Sequence, residues 1–299
     1  MDISALRGQP DLYAALRGLG IAAPDATTLP AILAALDAGD DLACETAARL
    51  RAVDAGLLLA VLRRGAGLPA TPAEPAVRAH LATVTAAPLF LPAIQDGPSL
   101  ALLTNGEHPQ MPAFSDPAFD AWFAAQGVPY GIGTYGEDRH VYRSAQFADA
   151  ASPERRTRHL GIDVFAPAMT PVHAPLAGTV RHVTYNADPL DYGNTLILDH
   201  QAGDVTFHTL YGHLAGTLPG LLQPGDTVDP GQVIAHLGDW PENGGWAPHL
   251  HFQVMTDMLA QTGGNFFGVG HNSLWDVWQG VCIDPNLILR LPEDRFCVR

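Results

Sequence analysis

Nine of the thirteen histidines lie between positions 159 and 251 (His159, His173, His182, His200, His208, His213, His236, His249 and His251), so any imidazole chemistry belongs to that third of the chain. Three motifs within it have useful spacing. His159-Leu-Gly-Ile-Asp163 sets an imidazole four residues from a carboxylate. Its β-branched content favours an extended segment, in which an even separation puts both side chains on one face. Pro248-His249-Leu-His251-Phe-Gln-Val carries two imidazoles two residues apart in a strand-like run, again on one face. Together these motifs supply a His/His/Asp set of the kind that holds zinc and leaves a fourth position to water. Spacing alone does not choose between His249 and His251 as the ligand. In Thr209-Leu-Tyr211-Gly-His213-Leu a histidine ends a third strand-like run. It could be a further ligand or the proton carrier that a zinc hydrolase needs when no HExxH glutamate is present.

The other histidines of the cluster have no partner at ligand spacing and read as structural or exposed. Asn194, in Tyr192-Gly-Asn194, reads as turn chemistry. Tyr211 and Trp246 flank the motifs, where they line a cleft or fill the core. Cys44, Cys282 and Cys297 are too few and too widely spaced for a disulfide framework or a zinc knuckle, and read as reduced thiols.

Two regions with different periodicity must position these residues. Residues 1–110 read as a helical domain, rich in Ala, Leu and Arg with apolar residues three and four apart. Thr28 and Pro30 mark one helix start there, and segments 40–64 and 71–87 supply more helices. Residues 111–293 read as a β domain with a C-terminal extension, built of short β-branched and aromatic runs punctuated by Gly and Pro. The fold class expected is therefore α+β. In LLQPGDTVDPGQVIAHLG, turns at Gly225 and Gly231 would turn Val228, Val233 and Ile234 inward.

Composition removes several function classes. Of 299 residues, 31 are acidic and 16 basic, and the net charge of -15 opposes nucleic-acid binding, which rests on clustered cations. All the basic residues are arginines, so Schiff-base, P-loop and lipoyl- or biotinyl-carrier chemistry lack their lysine. The carrier-like Pro-Gly-Asp-x-Val-x-x-Gly-Gln pattern is then scaffold. The longest apolar run, near Leu57, is too short to span a bilayer, and the N-terminus lacks the pattern of a signal peptide. The expectation is a cytoplasmic protein, or an exported one if a leader precedes this sequence.

The order HxxxD, YGHL, GDTVDPGQVIAHLG, HLHF resembles the lysostaphin or LytM-type zinc endopeptidases over roughly residues 155–256. That resemblance implies a β-rich duplicated hybrid motif and one zinc ion held by His159, Asp163 and His251. It implies that His213 and His249 are the catalytic pair that orients and deprotonates the attacking water. A peptide or a peptidoglycan cross-link would be the substrate. The flanking stretches YGEDRHVYRSAQF and LWDVWQGVCIDPNLILRLP, with DPLDYGN and PENGGWAPHLHFQ between them, also resemble the peptidase-like middle domain of large proteins that carry kinase-like and aminotransferase-like domains. Two rivals follow: a metal-stabilised binding or regulatory module, and a cytosolic zinc hydrolase of a small amide or ester.

Overall fold

The computed structural model describes residues 3–104, 108, 110–139, 141–142 and 144–297. His140 and Arg143 of the first flank, and Met1 and Asp2 of the N-terminal stretch, lie outside them. The chain opens with α1 (Leu12–Arg17), α2 (Thr28–Asp37), α3 (Asp41–Arg51), α4 (Ala55–Gly65) and α5 (Glu74–Thr83). Asp11, Asp40 and Asp54 cap α1, α3 and α4 by accepting backbone N–H groups that would otherwise be orphaned. Segment 40–64 is thus two helices, divided at Asp54.

Strand β1 (Ser99–Ala101) comes next, then α6 (Ala118–Ala125), β2 (Tyr130–Gly133), β3 (Arg158–His159), β4 (Ile162–Phe165) and β5 (Pro171–His173). Three long strands follow in part: β6 (Gly178–Asn186), β7 (Gly193–Ala202) and β8 (Val205–Leu214), and then α7 (Leu218–Leu221). The chain continues through β9 (Thr227–Val228), β10 (Val233–His236), β11 (His249–Met255) and β12 (Val269–Gly270). It ends with α8 (Trp275–Val281), β13 (Cys282–Ile283) and α9 (Asn286–Leu289). The fold is α+β. Its main sheet runs β1-β2-β4-β11-β8-β7-β6-β9, with β13 also on β11, and pairs β10-β5 and β12-β3 stand apart.

The central strands are apolar on both faces because both are covered. Leu196, Leu198, Tyr211, Phe252 and Val254 pack into one core with Val77 and Leu81 of α5. Ile197, Leu210 and Met255 face the other way, into a core shared with Leu57, Leu58 and Val61 of α4 and Trp278 of α8. The helical region therefore completes the core of the sheet. Tyr211 is core rather than cleft, and Val233 is exposed at 40% while Val228 and Ile234 are buried. Val233 turns outward because the β10-β5 register shifts between Val233 and Ala235. Gly225 and Gly231 do take the left-handed φ that tight turns require. Cys44, Cys282 and Cys297 are free thiols.

Candidate metal centre

His159 and Asp163 do not share a strand. Chain pairing changes at Leu160 and Gly161, so His159 ends β3 against Val269 whereas Asp163 lies in β4 opposite His251. Gly161 lets this happen, since a Cβ there would lie 2.7 Å from the His251 ring and 2.8 Å from the Phe252 carbonyl. The two imidazoles of β11 share a face as alternation requires, and the register sets His251 on Asp163 and His249 on Phe165, with stacked rings 4.6 Å apart.

His213 reaches the same face by breaking alternation. Gly212 is the residue opposite His251, so a regular strand would point His213 away. A φ of 63° at His213 turns it back, and its ring centroid lies 4.3 Å from that of His249. Non-glycine residues adopt this conformation rarely, and such strain gathers at functional sites.

Each imidazole has one nitrogen committed. His159, His213 and His249 donate Nδ1–H to the carbonyls of Thr134 (2.8 Å), Asn243 (2.7 Å) and Ala247 (2.7 Å). His251 donates Nε2–H to Gln253 Oε1 at 2.9 Å, and Gln253 is oriented by donating to Phe267 O. The lone pairs left over on His159 Nε2 and His251 Nδ1 point at each other across 3.1 Å, and at Asp163 Oδ1 across 3.2 and 3.1 Å. Three possible ligand atoms thus converge on one point. Donors bound about 2.0–2.2 Å from a tetrahedral zinc sit roughly 3.3–3.5 Å apart, close to these separations. The donor set, two imidazoles and a carboxylate, fits the metal, and it is the single cluster of its kind among the described residues. His249 Nε2 stands slightly farther from Asp163 Oδ1, at 3.9 Å.

Electrostatics hold the cluster in its ligating form. Burial opposes charge on Asp163, but His159 and Arg139 outweigh it and keep the carboxyl well below its ordinary range. Burial and Arg139 lower His159, and burial with His249 and His251 depresses His213 strongly. Burial brings His249 down to about 4.

Arg139, Tyr192 and Gln253 were not singled out from the sequence as members of the site. Arg139 is 2% exposed, donates Nη1–H to Asp163 Oδ2 at 2.7 Å and Nε–H to Glu137 at 2.9 Å. Only the flank motif pointed towards it. Gln253 continues the alternation of His249 and His251, a signal that would have found it. Tyr192 brings its hydroxyl to 3.5 Å from His251 Nε2. These groups open onto a cavity of about 310 Å³ lined by Asp163, His213, His249, His251, Trp246 and Tyr192. Asn194 bonds the Glu242 carbonyl, and buried His271 faces Asp149 away from the cavity. His200 and His208 serve the β7-β8 hairpin by bonding Thr209 and Asp199.

A buried His/Asp/His cluster on a sheet, with two further imidazoles beside it, is a donor set that suits a metal ion. Residues 157–262 match the model of peptidase family M23. Over 96 residues the chain is 35% identical to the DD-carboxypeptidase/endopeptidase Mpg of Neisseria meningitidis serogroup B, a match covering 32% of this chain and 20% of the relative. The chain thus spans about a fifth of the length of the curated relatives it matches. Among solved structures, a zinc-containing peptidase from Vibrio cholerae is 34% identical over 33% of this chain and 28% of its own, with a TM-score of 0.28. The catalytic domain of lysostaphin from Staphylococcus simulans is 25% identical over 40% and 80%, with a TM-score of 0.29. Of the four stretches that carry the second resemblance, 135–147 and 274–292 lie outside the matched residues and 188–194 and 241–253 inside them.

Proposed function

We propose that this chain is a zinc-dependent hydrolase that splits an amide bond in a peptide or a peptidoglycan cross-link, with His159, Asp163 and His251 holding one metal ion. The observation that carries this reading is the convergence of His159 Nε2, His251 Nδ1 and Asp163 Oδ1 within 3.2 Å of one another, with the other ring nitrogen of each histidine already committed. The name of the meningococcal relative, a carboxypeptidase and endopeptidase, supports a peptide substrate. Zinc in this position supplies Lewis acidity, which polarises a carbonyl and brings the pKa of a water towards about 7.

The protein's own groups do the rest. His213 and His249 each keep Nε2 free because Nδ1 is committed to a backbone carbonyl. Both are neutral bases at pH 7, so one can take a proton from the attacking water and the pair can return it to the leaving amine. Trp246, Phe114 and Tyr192 line the cavity around them and give it an apolar wall.

The test is elemental analysis of protein purified without added metal, followed by a cleavage screen of muropeptides and short peptides. About one zinc per chain, with cleavage that stops on chelation and returns on re-addition, is the expected outcome. No divalent metal after purification, and none after reconstitution, would overturn the reading in favour of a binding module.

A further inference from the structure

We propose that the substrate is short and ends in a free carboxylate, which Arg156 pairs inside the cavity; this rests on the amide-hydrolase reading above. At about 310 Å³ the cavity is at the small end of the range for small-molecule sites. Aromatic side chains line it, and Phe114, Tyr142, Phe147, Phe266 and Phe267 all come from outside residues 157–262. Part of the cavity wall therefore comes from segments outside the span matched to the family model.

Arg156 lines the same cavity as Asp163, His249 and His251. Its guanidinium lies 5.3 Å from the Phe267 ring centroid, and Nη2 donates to the Gln146 carbonyl at 2.7 Å. Among the described residues no carboxylate lies within 4 Å of it to form an ion pair, so its remaining N–H donors have no protein anion. Asp149, its closest electrostatic acid, is bound by the Tyr13 hydroxyl at 2.6 Å and faces His271. Asp188 and Asp191 also line the cavity, but Asp191 is engaged by Asn265 at 2.8 Å and by the Tyr192 N–H.

Arg139 gives a second, independent sign. It too lines the cavity, and its Nη2 is buried without a hydrogen-bond partner, although the Tyr142 hydroxyl is an electrostatic neighbour. The cavity also carries Asp163, Asp188 and Asp191, so what it offers an anion is the unpaired N–H donors of Arg156 and not a net positive charge. A planar fork stacked on an aromatic ring is suited to a carboxylate, which it binds with two parallel hydrogen bonds. A substrate that ends in a carboxylate stops inside the cavity, whereas cutting an internal bond of a polymer requires the chain to leave on both sides.

The test uses the zinc-loaded full chain carrying His213→Ala, so that probes are not consumed, and calorimetry with N-acetyl dipeptides of L,L and D,D configuration. Each probe is offered as its free acid and as its C-terminal carboxamide. Acids are expected to bind at least about ten-fold more tightly than amides. Adding Arg156→Gln abolishes that preference, Arg156→Lys keeps part of it, and the same change at the exposed neighbour Arg155 leaves it intact. Equal binding of acid and amide, no binding of either, or a preference that survives Arg156→Gln overturns the proposal. Cleavage by the native chain is scored separately. Acid-selective binding without any cleavage would sink the hydrolase reading and leave the carboxylate site standing, and cleavage of both forms without preference would do the reverse.

Discussion

Asp163 faces four groups at once: His159, His251, the more distant His249, and Arg139 on its other oxygen. Removing it leaves Arg139 as a buried cation without its strongest partner and takes away the anionic ligand. Asp163→Ala and His251→Ala are each expected to lose zinc on mild chelation, as read by elemental analysis. His213→Ala should keep one zinc per chain and lose turnover by about 10²–10⁴-fold, the usual weight of a proton-transferring group. Full metal in both ligand variants would discard the assignment. Arg139→Leu is expected to weaken zinc affinity by about 10–100-fold, the scale on which groups orienting a ligand act, measured by competition with a chelator. At this scale much was legible: same-face spacing paired His249 with His251, and the motif order brought in His159, Asp163 and His213. Arg139 was not, because a lone arginine 24 residues from its partner leaves no local pattern.

Among elements, the turn at Leu160-Gly161 does what a single strand could not. It lets β3 and β4 approach the same point from different pairings, and Gly161→Ala would push a methyl into the His251 ring and the Phe252 carbonyl. Loss of zinc affinity by about ten-fold or more is expected, because a ligand displaced by part of an ångström no longer meets the tetrahedron. Retained affinity in that variant would show that the β3-β4 corner can relax. The β7-β8 hairpin offers a pH test away from the metal. Burial brings His200 from the ordinary 6.5 down to about 4, with Nδ1 on Ala177 O and Nε2 on Thr209. Its folded pKa is below the unfolded one, so between those values the unfolded chain binds more protons and stability rises with pH. Going from pH 7 to pH 4 at saturating zinc should therefore cost the native chain more than His200→Gln, by up to about 3 kcal/mol in urea titrations. Equal losses would show that this imidazole is not held neutral. The alternation of β7, β8 and β11 was readable from sequence, but the reversal at His213 was not, since no residue type announces a positive φ there.

Over the whole molecule, the helical region and the sheet share one core. Leu57, Leu58 and Val61 meet Met255, Leu210 and Trp278, and Glu74 accepts from Arg64 at 2.9 Å while Arg64 Nε donates to the Asp276 carbonyl of α8. Leu58→Ala is expected to cost about 2–5 kcal/mol, and helix and sheet signals should shift together in one transition. Two separated transitions in circular dichroism and tryptophan fluorescence would show instead that the helices fold by themselves. Sequence by itself determined the α+β class, the order of motifs and the donor chemistry, because periodicity and residue type are local properties. Tertiary structure decided which ligand atoms converge, which arginines line the cavity and that aromatic residues outside the matched span line it too. Those depend on strand register, a glycine corner and a left-handed φ, which bring together positions as far apart as 114 and 267, and separations in space are not written in spacing along the chain.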